Sequence, residues 1–125
     1  MGATMPKTDI SFSIQNDESS KSLKTQGIFK DNTLKFLDDE HVKHTVIIQE
    51  KRIQYKKDGL VKMDFVFEKD TVHVGKYQVK HGTFQFEIYT HKLLVSKSRI
   101  DVHYTLKQDG EFVNRGHLNV EYETI

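Results

Sequence analysis

The chain has no cysteine among its 125 residues. That excludes a disulfide framework, zinc–thiolate sites and cysteine catalysis. It also suits the cytoplasm, which is the expected location. An excess of either charge is missing too. Nineteen basic residues face 18 acidic ones, for a formal net charge of +1. A dedicated nucleic-acid binder or anionic-membrane binder shows a basic excess or cluster, so neither partner is expected. No apolar run approaches a membrane span. The opening "MGATMPKTDISFSIQ" lacks a signal-peptide core. Met1-Gly2 opens like a myristoylation signal, but Pro6 stands where Ser or Thr is needed. Residues 1–7 therefore read as a disordered leader, and 8–125 as one domain.

Catalytic signatures are absent as well. There is no G-x-S-x-G elbow and no glycine-rich phosphate loop. Nearly every Asp and Glu falls in a turn or on the outward face of a strand, so no inward carboxylate pair is expected. The sequence names no catalytic residue and implies no cofactor. An enzyme is the least supported class.

What the chain does have is alternation. Ile10, Phe12 and Ile14 alternate with polar residues. Phe84, Phe86, Ile88 and Thr90 repeat the pattern, as do Ile100, Val102, Tyr104 and Leu106. Period two marks half-buried antiparallel strands, and helical spacing is hard to find. Turn signals recur at Asp31-Asn32, Glu50-Lys51, Asp58-Gly59, Lys69-Asp70, His81-Gly82 and Asp109-Gly110. The polar stretch 16–22 reads as a surface loop. Short strands at regular spacing predict an all-β fold, a single antiparallel up-and-down barrel of eight to ten strands, because closure removes exposed edges. An open sandwich is the structural alternative.

Hairpin registers follow from matching faces. At Asp109-Gly110, a three-residue loop with a bulge at left-handed Gly110 sets Leu106 against Phe112, Tyr104 against Asn114 and Val102 against Gly116. It also sets Asp101 against His117 on the outer face. At Asp58-Gly59 the expected pairs are Tyr55–Met63 and Ile53–Phe65. At His81-Gly82 a two-residue loop predicts Tyr77–Phe86, Gly75–Ile88 and His73–Thr90. At Asp31-Asn32 it predicts Phe29–Leu34 and Gly27–Phe36. With Thr90 near Tyr104, these registers line up an inward polar row: His73, Thr90, Tyr104, Asn114.

At this point the chain resembles the YwiB-like family of small bacterial proteins of unknown function, which adopt a calycin or lipocalin-like barrel. The matching residues are Thr25 and Gly27 in "TQG", Thr45, Val46 and Ile48 in "TVII", and Gly59, Val61 and Met63 in "GLVKM". Tyr77, Gly82 and Thr90, then Ile100, Val102 and Tyr104 in "IDVHYTL", complete the set. The likeness covers roughly residues 10–123, with a shorter loop through "LLVSKSR" than the family leads one to expect. It implies the barrel and an interior cavity, and no catalytic residues.

Seven histidines raise the question of metal. His41 and His44 follow Asp38, Asp39 and Glu40, but i and i+3 point to opposite faces of a strand. This cluster is expected to be a solvated hairpin tip. His91, His103 and His117 fall on the charged outer face. Aromatic residues in a small barrel either fill it or surround one small ligand. The expected function is noncovalent binding of a small apolar ligand with a polar end. Tyr55, Tyr77 and Phe86 would wrap its apolar part. His73, Thr90, Tyr104 and Asn114 would orient the polar end. The alternative is a protein-interaction or accessory module with a filled core and no ligand.

Overall fold

The computed structural model describes residues 7–124. Ten strands form there: β1 (Lys7–Asn16), β2 (Ser20–Lys30), β3 (Thr33–Leu37), β4 (Lys43–Gln49), β5 (Arg52–Asp58), β6 (Lys62–Glu68), β7 (Val72–Val79), β8 (Gly82–Val95), β9 (Arg99–Gln108) and β10 (Glu111–Thr124). Each pairs with its neighbour in sequence, and β1 closes the barrel against β10. All ten strand pairings are antiparallel, and one isolated parallel bridge joins Lys69 to Thr90. The barrel read from period-two alternation is the one observed. The leader expected over 1–7 lies, apart from Lys7, outside the described residues, and Lys7 already begins β1.

The alternation decides which side chains go inside. Ile10 and Phe12 of β1, Leu34 and Phe36 of β3, Phe65 and Phe67 of β6, and Leu118 and Val120 of β10 are buried. Their strand neighbours point outward. Each such side chain contributes roughly 1.5–3 kcal/mol on burial, so the barrel interior is the core.

Turn chemistry shifts the detail. At Asp31-Asn32 the expected pairs Phe29–Leu34 and Gly27–Phe36 form, with both turn residues at positive φ (53° and 56°). Asp109 (φ 53°) and Gly110 (φ 81°) likewise form a tight two-residue turn, and Gln108 pairs directly with Glu111. The bulge expected at Gly110 sits instead between Phe112 and Asn114. Two left-handed residues match the twist of a hairpin, which favours the two-residue turn. That turn alone would set the apolar faces against one another. The bulge restores them, so Tyr104 faces Gly116, Val102 faces Leu118 and Ile100 faces Val120.

The other two hairpins slip by two residues from the expected registers. Tyr55 pairs with Phe65 and Ile53 with Phe67. Tyr77 pairs with Phe84, Gly75 with Phe86 and His73 with Ile88, because the turn centres on Lys80 and His81 rather than on Gly82. A two-residue slip leaves every side chain on its own face, so hydrophobic pattern cannot detect it. Thr90 does pair with Tyr104, as expected, just before a bulge between Thr90 and Lys92.

Candidate functional site

The slips split the expected polar row in two. His73, Ile88, Leu106 and Asn114 now lie on one line of paired residues across β7, β8, β9 and β10. Thr90, Tyr104 and Gly116 lie on the next. All keep inward parity, but apolar Ile88 and Leu106 separate His73 from Asn114. His73 is half-buried, and its Nε2 meets Glu68 Oε1 at 2.9 Å. The hydrogen bond to His73, with a second to Arg52, holds the Glu68 carboxyl below its ordinary range. Asn114 accepts the Asp17 amide at 2.9 Å, and Asp17 accepts the Arg115 amide at 3.1 Å. Asn114 thus ties β10 to the β1–β2 turn. That turn is narrower than the loop expected over 16–22.

Thr90 and Tyr104 sit deeper. Thr90 is fully buried, and its hydroxyl finds no hydrogen-bond partner among the described residues. Tyr104 packs on Phe67 (ring centroids 4.8 Å apart) and lies directly over Gly116, where a Cβ would collide with its Cζ and hydroxyl. Burial pushes the Tyr104 hydroxyl up to about 12. Half-buried Phe86 packs edge-on to Tyr77 at 6.1 Å and to Phe65 at 6.5 Å.

The interior holds a second polar group that the sequence reading assigned to solvent. Asp38 and His44 do not form a solvated tip. The Asp38 carboxyl is 0% exposed and His44 1%. The strand alternation Leu34–Phe36 continues inward to Asp38, and Val46 carries the parity back to His44. His44 Nε2 donates to Asp38 Oδ2 at 2.9 Å. Its Nδ1 therefore accepts from the Tyr55 hydroxyl, at 2.7 Å. Asp38 Oδ1 also accepts the Glu40 and Val42 amides, and Lys21 Nζ reaches Oδ2 at 3.3 Å. His41, at φ 62°, is exposed in the loop, whereas His44 is buried.

The electrostatics follow from burial and partners. Desolvation raises the Asp38 carboxyl, but hydrogen bonds from His44, the Val42 and Glu40 amides and Lys21 outweigh it, and the carboxyl stays ionised far below its usual range. Desolvation lowers His44 more than Asp38 raises it, so the ring is neutral. Burial lifts the Tyr55 hydroxyl well above its ordinary value. The His44 ring stacks on Phe36 at 4.9 Å, and Phe12 lies 5.2 Å away. Every nitrogen of His44 is satisfied within this chain of groups, so it has none left for a metal.

On the outer wall, His91, His103 and His117 face away from the core, as expected. Asp101 pairs with Asn119 rather than with His117, and His103 faces His117 across the β9–β10 ladder. The Asp101 carboxyl still reaches His117 diagonally in a short hydrogen bond. Among the described residues, clefts open elsewhere. One of about 900 Å³ is lined by Asp9, Ser11, Lys24, Gln26 and Glu121, among others. Another of about 440 Å³ lies beside Ile28, Asp31 and Thr33. Neither is lined by any of the seven residues singled out from the sequence.

The fold has a solved counterpart. The crystal structure of the ywiB protein from Bacillus subtilis matches with a TM-score of 0.66 at 19% identity, over 97% of this chain and 92% of that one. At this identity the likeness is one of fold. No curated protein matches the chain. Residues 7–120 match the family model described as a domain of unknown function (DUF1934). The match spans nearly all of the barrel, whose up-and-down form the strand alternation had suggested, so this chain belongs to the DUF1934 family.

Proposed function

We propose that this domain is a cytoplasmic, noncatalytic binding module that takes a small, largely apolar molecule with a polar end on the inner wall of the barrel, beside Thr90 and Tyr104. One observation carries the reading. The Thr90 hydroxyl is buried without a partner, next to Tyr104 on the same wall. A buried hydroxyl lacking a hydrogen bond costs about 1–3 kcal/mol, and the polar end of a ligand would recover it. Phe86 and Tyr77 stand half-buried farther along β8 and β7 to meet the apolar part, and Tyr55 is buried in the core. His73 and Asn114 flank the position, although each already holds a partner.

The second reading is an interaction or accessory module with a filled core. It is favoured by the self-satisfied Asp38–His44–Tyr55 chain and by rings that pack on one another from Phe36 to Tyr55. Native mass spectrometry of the protein purified from its own host separates the two. The binding reading expects extra mass that is released on denaturation and is lost in Thr90→Val. A chain at its bare mass, with Thr90→Val simply more stable, would leave the filled-core reading standing.

A further inference from the structure

We propose that Asp101, His103 and His117 form a site on the outer wall of the barrel for a divalent transition-metal ion of the zinc type. These residues come from β9 and β10, and one ligand atom from each lies within 4.8 Å of the others. The two imidazole rings stack 14° from parallel, with centroids 4.0 Å apart. The Nε2 atoms of both rings approach the same carboxylate oxygen, Asp101 Oδ1: His117 by a hydrogen bond and His103 at 3.7 Å. A four-coordinate zinc with bonds of 2.0–2.1 Å needs ligand atoms roughly 3.4 Å apart. The His103–Asp101 separation is already within a few tenths of an ångström of that edge.

The three groups differ in setting, and the difference suits a metal. The Asp101 side chain is 9% exposed although it stands on an outward face, whereas His103 and His117 are 43% and 34% exposed. A sunken carboxylate beneath two accessible imidazoles leaves the fourth position open to solvent. Arg99, the nearest cation, reaches the other carboxylate oxygen, Oδ2, at 3.9 Å and also Glu121 at 3.8 Å. Oδ1 is left to the histidines. Lys92, which pairs with His103 across β8 and β9, is a second nearby cation. Two nitrogens and one oxygen select borderline divalent ions such as zinc or cobalt over magnesium or calcium. On binding, the Asp101–His117 hydrogen bond is exchanged for a bridge through the metal, which displaces the proton from His117 Nε2.

The test uses the full chain, stripped of metal by a chelator and titrated with zinc chloride by calorimetry. One equivalent should bind saturably and raise the melting temperature by mass action. His103→Ala is the sharpest variant, because it removes one ligand and keeps the Asp101–His117 hydrogen bond. Its affinity should fall more than about tenfold, the loss that even supporting residues of metal sites produce. Its fold, read by circular dichroism, should match the parent. His117→Ala should lose binding similarly, and His41→Ala should bind as the parent does. Cobalt should give the absorption bands of a four-coordinate nitrogen–oxygen site. Absence of saturable binding, or binding unchanged in His103→Ala, would overturn the proposal.

Discussion

Tyr55→Phe removes a single oxygen from the core and tests the buried chain from Asp38 to Tyr55. The phenylalanine ring keeps its contacts with Phe12 and His44, whose centroids lie 5.7 Å and 5.8 Å from that of Tyr55. What changes is His44 Nδ1. The ring cannot rotate to satisfy it, because Nε2 is held by Asp38 at 2.9 Å. A buried acceptor left without a donor costs about 1–3 kcal/mol. For a domain of this size that corresponds to a fall of roughly 3–15 °C in melting temperature. Urea unfolding followed by far-ultraviolet circular dichroism measures the free energy directly, provided the slope is unchanged. His44→Phe supplies the second arm. In that background the Tyr55 hydroxyl has lost its acceptor, so adding Tyr55→Phe should cost nothing or restore stability. The two changes are coupled only if they share the hydrogen bond. An equal cost of Tyr55→Phe in both backgrounds, or a cost below about 0.5 kcal/mol in the parent, a level typical of surface substitutions, would refute the account.

Acid should weaken the fold in two stages. His44 is held below its ordinary value near 6.5, so the unfolded chain takes up that proton first, and this contribution is present above pH 6.5 and lost as pH falls below it. Asp38 lies below its ordinary 3.8, so its contribution is lost only as pH drops further, through and beneath that value. The urea midpoint should be flat near pH 7 and fall on acidification, with the upper stage reduced in His44→Phe; a midpoint that rises between pH 7 and 5.5 would contradict this. Gly116→Ala drives a methyl group into the Cζ and hydroxyl end of Tyr104. It should cost about 1–3 kcal/mol through overpacking, and a variant as stable as the parent in urea would show that Tyr104 does not lie there. Gly110→Ala should lower the unfolding free energy modestly, by about 1 kcal/mol, because φ is 81° and a Cβ is disfavoured there. Open space surrounds that position, so the cost is conformational alone.

Side-chain alternation alone determined the class of fold, the number of strands within its range and the inner or outer face of nearly every residue. Period two is local: a residue and its neighbours two away carry the whole signal. The same parity was available at Asp38 and His44, in line with Leu34, Phe36 and Val46. Charged residues near a turn are normally solvated, and that tendency competes with parity at these two positions. Their burial depended on groups distant in sequence: Tyr55 on the next strand to complete His44, and Lys21 on β2 to meet Asp38. Register was the other decision left to the tertiary structure. A slip of two residues preserves each face, so only turn geometry and ring packing could choose that Tyr104 lies over Gly116 and that His73 faces Ile88. That choice broke one polar row into two. Closure of β1 on β10 was expected from the need to cover edges, but the cluster of Asp101, His103 and His117 exists only because a bulge past Gly110 brought two histidines into opposition. Alternation records which way a side chain points; which partner it meets is set by where the chain turns and where it bulges.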